Sequence, residues 1–279
     1  MDKCINTYFL VNDEFKISKE FKNYNTSIGK SLYEVIRISD GIPIFLMEHI
    51  KRLENSAKIM KYNLNITSDE IINRIIKLIS KNSVCDGNIK LVINDNFLAY
   101  FVPHNYPSKQ EYAEGVKTIT FHGERSNPNA KVINSVFREK VNEQINNKNA
   151  YEAILVDDAG FITEGSKSNI FLVKGSTVVT SKVINVLQGI TRQFVIKTCE
   201  KLNIVFQEKN IHESDLESYN GLFISGTSPK VLPIKSVDGF CFNSSNNQII
   251  NSIMSGFDDE FNKDKQKFVK FTQSRTINK

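Results

Sequence analysis

The chain has 279 residues, 40% hydrophobic and 24% charged, the proportions of a globular protein with one large or two modest cores. No apolar run approaches the roughly 18 residues of a membrane span, and the net charge of +5 is spread with acids interleaved, as on a solvated surface rather than a nucleic-acid groove. Cys4, Cys85, Cys199 and Cys241 are far apart, as are His49, His104, His122 and His212, so neither a disulfide framework nor a zinc spacing is present. NTYFLVN (6–12) predicts a first strand. YEVIRIS (33–39), the Asp40-Gly41 pair and IPIFL (42–46) predict a hairpin. The segment 47–60 predicts a helix whose core face is Ile50, Leu53, Ala57 and Met60. Thr67 or Ser68 caps a second helix, DEIINRIIKLISK, with an acidic start and a basic end. NIKLVIN and FLAYFVP (88–103) form a second hairpin around Asp95-Asn96.

His104 to Glu114 is polar and aperiodic and reads as an inter-domain linker. A strand, GVKTITF (115–121), follows. Residues 131–147 predict a helix with Val132, Val136, Val141 and Ile145 as its apolar stripe. Then come YEAILVD, FITEG, NIFLVKG, STVVTS, the helix TRQFVIKTCEKLN, IVFQEK, a short SDLESYN helix, GLFISGT and VLPIKSV. The pattern is mixed α/β, with too many hairpins for a doubly wound parallel sheet. The charged residues 256–279 are expected to fray. The N-terminus, MDKCINTYFLVNDEF, lacks the apolar core of a signal peptide, so a cytoplasmic location is expected.

The chemistry concentrates in residues 151–192. Glu164 is followed by the small polar residues Gly165, Ser166, Ser168 and Asn169, and a second polar turn, Gly189-Ile190-Thr191, opens a helix. A helix start favours an anion through its unpaired N–H groups and dipole. Lys131 stands upstream. A carboxylate to keep a ring nitrogen protonated, a phosphate site and a Schiff-base lysine are what pyridoxal phosphate chemistry demands, together with an anion site for the substrate carboxylate. Taken singly, each residue has a plainer role. Lys131 and Arg52 suit a solvated helix surface, Glu164 an exposed turn, Gly189-Ile190-Thr191 an ordinary helix entry, and Leu187 and Tyr33 the core.

EGSKSNIF (164–171) with GITR (189–192) resembles the signature of the class IV aminotransferases. These are the fold-type IV pyridoxal phosphate enzymes, which include branched-chain aminotransferases, D-amino acid aminotransferases and aminodeoxychorismate lyases. The likeness extends to EHIKRL (48–53) and GTSPKVLPI (226–234). It implies two domains with mixed, largely antiparallel sheets, residues 1–110 and 111–279, the second carrying the lysine. It implies a homodimer acting on an amino acid and a 2-oxo acid. By resemblance, Lys131 in NPNAKVINSVF is the covalent and proton-transferring lysine. Glu164 pairs with the pyridinium nitrogen, with Ser168 and Asn169 beside it in the signature. Arg52, Gly189, Ile190, Thr191 and Thr227 surround the phosphate, and Leu187 packs on the ring. Tyr33 is the aromatic near lysine and substrate.

Two segments depart from the family pattern. Where relatives have F-G-D-G, this chain has Ile28-Gly29-Lys30-Ser31, a lysine replacing the acid. Where D-amino acid aminotransferases carry a carboxylate-clamping arginine, it has Asn94, Asp95 and Asn96, which disfavours D-substrates. The match to the branched-chain enzymes' strand arginine is Lys90, so Lys90 and the amides of Thr227 and Ser228 are the candidates for the substrate carboxylate. The expected activity is transamination of an L-amino acid of branched-chain type. Aminodeoxychorismate lyase and a non-catalytic binding protein are the alternatives.

Overall fold

The computed structural model describes residues 3–24, 31–125 and 127–277. Ile28, Gly29 and Lys30 of the altered segment lie outside them. The chain forms two compact units. One comprises Met1–Asn105, Ala130–Ile133 and Glu260–Lys279, the other Tyr106–Asn129 and Asn134–Asp259. The residues around Lys131 and the last twenty cluster with the first unit instead of the second.

The first unit is built on an antiparallel six-stranded sheet in the order β2-β1-β6-β5-β3-β4. Its strands are β1 (Tyr8–Val11), β2 (Glu14–Ile17), β3 (Leu32–Ser39), β4 (Ile42–Pro43), β5 (Gly87–Ile93) and β6 (Phe97–Val102). The Asp40-Gly41 pair has positive φ at both residues, 52° and 75°, which a two-residue hairpin turn requires. The strand expected over 42–46 ends at Pro43. Phe45 turns left-handed at φ 53° and launches α1 (Leu46–Ile59), its amide donating to Asp264 Oδ2 at 2.6 Å. α2 (Ser68–Asn82) starts with a reciprocal capping box between Thr67 and Glu70. Leu32, Ile36, Ile38, Ile89 and Leu91 from one sheet face pack with Ile50, Leu53 and Ala57 of α1 and Ile71, Ile75 and Leu78 of α2. Phe9, Phe21, Val92, Leu98 and Tyr100 form a smaller aromatic cluster.

The second unit holds a nine-stranded mixed sheet. Its main path is β12-β11-β10-β13-β14-β7-β8-β9, with β15 added to β14. The strands are β7 (Val116–His122), β8 (Glu152–Val156), β9 (Ile162–Gly165), β10 (Asn169–Lys174), β11 (Thr177–Thr180), β12 (Val205–Glu208), β13 (Gly221–Gly226), β14 (Lys230–Val237) and β15 (Phe240–Cys241). Three pairings are parallel, β11 with β12, β14 with β7 and β7 with β8. The expected mixed α/β fold with largely antiparallel sheets is what the chain adopts.

Three local expectations change. The supposed linker contains α3 (Lys109–Glu114), nucleated by a capping box between Ser108 and Glu111. The helix expected from 131 begins at Ser135 as α4 (Ser135–Asn147), because the Asn134 side chain accepts from the Phe137 amide and caps it there. Its stripe is therefore shorter: Val141 and Ile145 are buried, whereas Val136 is 63% exposed. The tail expected to fray is helical as α6 (Gln248–Ile277). Phe261 is buried, Phe268 and Phe271 pack on the first unit's core, and Lys265 and Arg275 pair with Asp40 and Asp69. Apolar anchors and ion pairs hold what composition alone would leave loose. Among the described residues no helix is long and apolar enough to cross a membrane.

Candidate active site

In the first unit the candidates gather around β3. Leu32, Glu34, Ile36 and Ile38 alternate as its buried face, and Tyr33, Val35 and Arg37 as its half-buried face. Ala130–Ile133 lies beside the start of this strand. Leu32 and Val132 form an antiparallel bridge, and the Tyr33 amide donates to the Lys131 carbonyl at 3.0 Å. The Lys131 amide donates to the buried Ser56 Oγ at 3.2 Å. Lys131 is thus held at its backbone on both sides and does not open a helix. Its Nζ lies 4.6 Å from the Tyr33 ring centroid, and Lys90 Nζ lies 5.0 Å from the same ring. Tyr33, Lys90 and Lys131, chosen separately from the sequence, share one place in this unit.

Arg52 is 8% exposed and belongs to the interior of α1, not to a solvated helix face. Its Nε and Nη2 donate to the two oxygens of Glu34 at 2.8 and 2.5 Å. The ring of His49 meets Glu34 Oε2 through Nδ1 at 2.7 Å. Burial pushes the Glu34 carboxyl up, but the Arg52 charge, the Arg52 hydrogen bonds and the His49 hydrogen bond together outweigh it and hold it at about 2. Burial pushes His49 down, helped by the positive charges of Arg52 and Lys131 and opposed by Glu34. A neutral imidazole beside a carboxylate must donate from Nδ1. Glu34 and His49 were missed by motif reading. The available signal was an acid on a strand face otherwise made of Leu32, Ile36 and Ile38, which a buried cation has to answer.

In the second unit Glu164 is the penultimate residue of β9 and Asn169 begins β10, joined by a turn in which the Gly165 amide donates to the Ser168 carbonyl at 2.8 Å. Glu164 is 4% exposed. It accepts from the Leu187 amide at 3.1 Å, from Arg125 Nη1 at 3.1 Å and from Asn169 Nδ2 at 3.5 Å, the last near the limit of a hydrogen bond. Asn169 Nδ2 also donates to the Leu187 carbonyl at 2.9 Å, so one amide ties the acid to the segment that enters α5 (Ile190–Lys201). Gly189 is the N-cap of α5 with no side-chain cap, and the buried Ile190 and Thr191 are its first residues. A Cβ at Gly189 would run into Asn169 Oδ1. Asn129 Nδ2 donates to the Val183 and Val186 carbonyls, 2.8 Å each, and fixes the loop leading to Leu187.

Ser168 is engaged by a different acid, its Oγ donating to Glu152 Oε2 at 3.2 Å, and Glu152 also receives the Lys167 amide and the Ser166 hydroxyl. The turn between Glu164 and Asn169 is therefore shaped by Glu152, an acid that the sequence motif did not single out. Arg125 was missed as well, since it stands in a loop after β7 with no periodicity to flag it. Thr227 and Ser228 occupy the half-buried turn between β13 and β14. Just before it, Ser225 faces Asn169 across the β10–β13 ladder, and its buried Oγ has no hydrogen-bond partner. Among the described residues no group of three His, Cys, Asp or Glu side chains could hold a metal ion.

Residues 31–237 match the family model described as amino-transferase class IV. A D-alanine aminotransferase from Bacillus licheniformis is 29% identical over 256 residues, covering 86% of this chain and 89% of that protein. A putative branched-chain-amino-acid aminotransferase from Methanocaldococcus jannaschii is also 29% identical over 256 residues, covering 84% and 89%. The crystal structure of Escherichia coli branched-chain amino acid aminotransferase superposes with a TM-score of 0.83 at 25% identity, over 92% of this chain and 95% of that one.

Proposed function

The chain belongs to the class IV aminotransferases, enzymes that use pyridoxal phosphate to exchange an amino group between an amino acid and a 2-oxo acid, and from that premise we propose its donor and its residue roles. The donor proposed is an L-amino acid with a branched aliphatic side chain. The covalent lysine proposed is Lys131, with Glu164 as partner of the ring nitrogen. Arg52, Thr227 and the amides of Ile190 and Thr191 take the phosphate, and Leu187 packs on the ring. The enzyme is proposed to be a cytoplasmic homodimer, on family precedent.

The arrangement around Glu164 carries this reading. A buried acid, a helix start without a side-chain cap and the amide that joins them are what a cationic ring nitrogen and a phosphate need at their two ends. The residues fit the group in one further respect: Ser225, cross-strand from Asn169, offers a buried hydroxyl without a hydrogen-bond partner. When bound, the cofactor supplies an aldehyde to receive the amino group and a ring that accepts the electron pair released at the α-carbon. Lys131 would hold the cofactor through its aldehyde carbon and, once its amine is free again, would move the proton at the substrate α-carbon. Glu164 holds a proton at the ring nitrogen, and the donors around it keep its carboxyl pinned. Tyr33, whose ring faces Lys131 Nζ, orients the lysine.

The L-preference is supported by the β5–β6 turn. Asn94, Asp95 and Asn96 close it tightly, the Asn94 amide donating to the Asn96 carbonyl at 3.1 Å, and no arginine stands there. Lys90, beside Tyr33, is the cation proposed for the substrate carboxylate. The D-alanine aminotransferase relative supports a second reading, a D-amino acid donor. Half-reactions with a panel of L- and D-amino acids, followed by cofactor absorbance, separate the two. Faster conversion of D-alanine than of L-valine or L-leucine would overturn the L-assignment. Release of 4-aminobenzoate from aminodeoxychorismate without an oxo-acid acceptor would assign a lyase instead. Lys131→Ala should lose both turnover and the borohydride-fixed adduct, and retention of either refutes its role.

A further inference from the structure

We propose that Glu34 is a positioning residue for the cofactor phosphate, acting through Arg52. The inference rests on the assignment of Arg52 to the phosphate. An arginine side chain has several rotatable bonds and a planar fork of five N–H donors, so its usefulness to an anion depends on where the plane is held. Glu34 takes the Nε–Nη2 edge of the fork with both of its oxygens, at 2.8 and 2.5 Å. That contact fixes both the plane and the direction of the guanidinium. His49 satisfies a further lone pair of Glu34 at 2.7 Å, so the carboxylate is itself held. Glu34 is 1% exposed, His49 3% and Arg52 8%, which removes the solvent that would otherwise let the pair swing. β3 supplies the acid, and α1 supplies His49 and Arg52 three residues apart on one helix face.

Positioning and charge make opposite predictions. If Glu34 merely neutralised Arg52, its removal would strengthen the attraction of Arg52 for a phosphate dianion. If Glu34 aims Arg52, its removal weakens phosphate binding although the local charge becomes more positive. The experiment compares full-length wild type, Glu34→Gln, Glu34→Asp and Arg52→Met for affinity toward pyridoxal phosphate and toward pyridoxal, which lacks the phosphate. The phosphorus resonance of the bound cofactor is a second readout. Glu34→Gln should weaken pyridoxal phosphate about ten-fold or more, about 1.4 kcal/mol, leave pyridoxal within roughly two-fold and shift the phosphorus signal. Glu34→Asp keeps the charge but shortens the reach, and should fall between Glu34→Gln and wild type.

Tighter pyridoxal phosphate binding in Glu34→Gln, or equal weakening of both ligands, overturns the proposal. If Arg52→Met loses the preference for the phosphorylated ligand while Glu34→Gln and Glu34→Asp keep it, the positioning role alone fails. If Arg52→Met keeps the preference, the assignment of Arg52 fails and the proposal falls with it. If neither Glu34 variant folds, Glu34 serves stability and the proposal is overturned.

Discussion

Gly189→Ala tests how closely the acid and the helix start are coupled. Gly189 has φ −60° and ψ 138°, a conformation open to any residue, so glycine is not needed there for its backbone. It is needed for space, because a Cβ would meet Asn169 Oδ1. That amide cannot simply rotate away, since its Nδ2 is bonded to the Leu187 carbonyl at 2.9 Å and faces Glu164. Overpacking of this kind costs about 1–3 kcal/mol, and losing the Asn169–Leu187 bond about 1 kcal/mol more. A total of about 2–4 kcal/mol corresponds to a Tm lower by roughly 5–15 °C. Because Asn169 also borders Glu164 and α5, pyridoxal phosphate should bind about ten-fold more weakly, a loss of about 1.4 kcal/mol. Gly175→Ala is the control. Gly175 has φ 59° with nothing within 4 Å of the added Cβ, so it suffers backbone strain without a clash. It should lose about 1 kcal/mol and leave cofactor affinity unchanged. Thermal unfolding with cofactor titration measures both variants. Gly189→Ala with a Tm within about 1 °C of wild type and unaltered affinity would refute the coupling.

Acid unfolding should report Glu34. Its folded pKa, about 2, lies below the ordinary 4.5, so its contribution is full above pH 4.5 and disappears as pH falls toward 2. The shift corresponds to about 3 kcal/mol, and urea unfolding of Glu34→Gln at several pH values should lack that acid-side slope. Asp264 behaves oppositely, since burial first and Glu48 next push its carboxyl up to about 6, against the Phe45 amide. Its stabilising contribution is full below the unfolded pKa and disappears as pH rises through 6, so Asp264→Asn should stabilise the protein at pH 8 and flatten the profile between pH 4 and 6. An unchanged profile would dismiss that carboxyl as a determinant. Deleting residues 260–279 removes Phe261, Phe268, Phe271 and the Asp264 contact to Phe45, and should leave the first unit unable to fold cooperatively, as followed by circular dichroism and proteolysis.

Local rules carry much of this chain. The β3–β4 and β5–β6 hairpins, the capping box at Thr67 and the core face of α1 follow from alternation, turn chemistry and helical spacing, all set by residues close together in sequence. The signature around Glu164 and Gly189 was legible because its spacing is long and its residue types are unusual together. Local rules misread the start of α4 and the charged tail. At the first, Asn134 outcompetes the apolar stripe, and at the second, sparse aromatic anchors outweigh composition.

By itself, then, the sequence determined most of the elements and the fold class, and through its family signature the cofactor and the candidates Lys131 and Glu164. Tertiary structure decided which charges meet. Glu34 finds Arg52 eighteen residues away, Glu164 finds Arg125 thirty-nine residues away, and Asp264 reaches Phe45 across 219 residues. A buried charge must be matched by whatever the fold brings beside it, and a partner chosen by packing leaves no periodic trace along the chain.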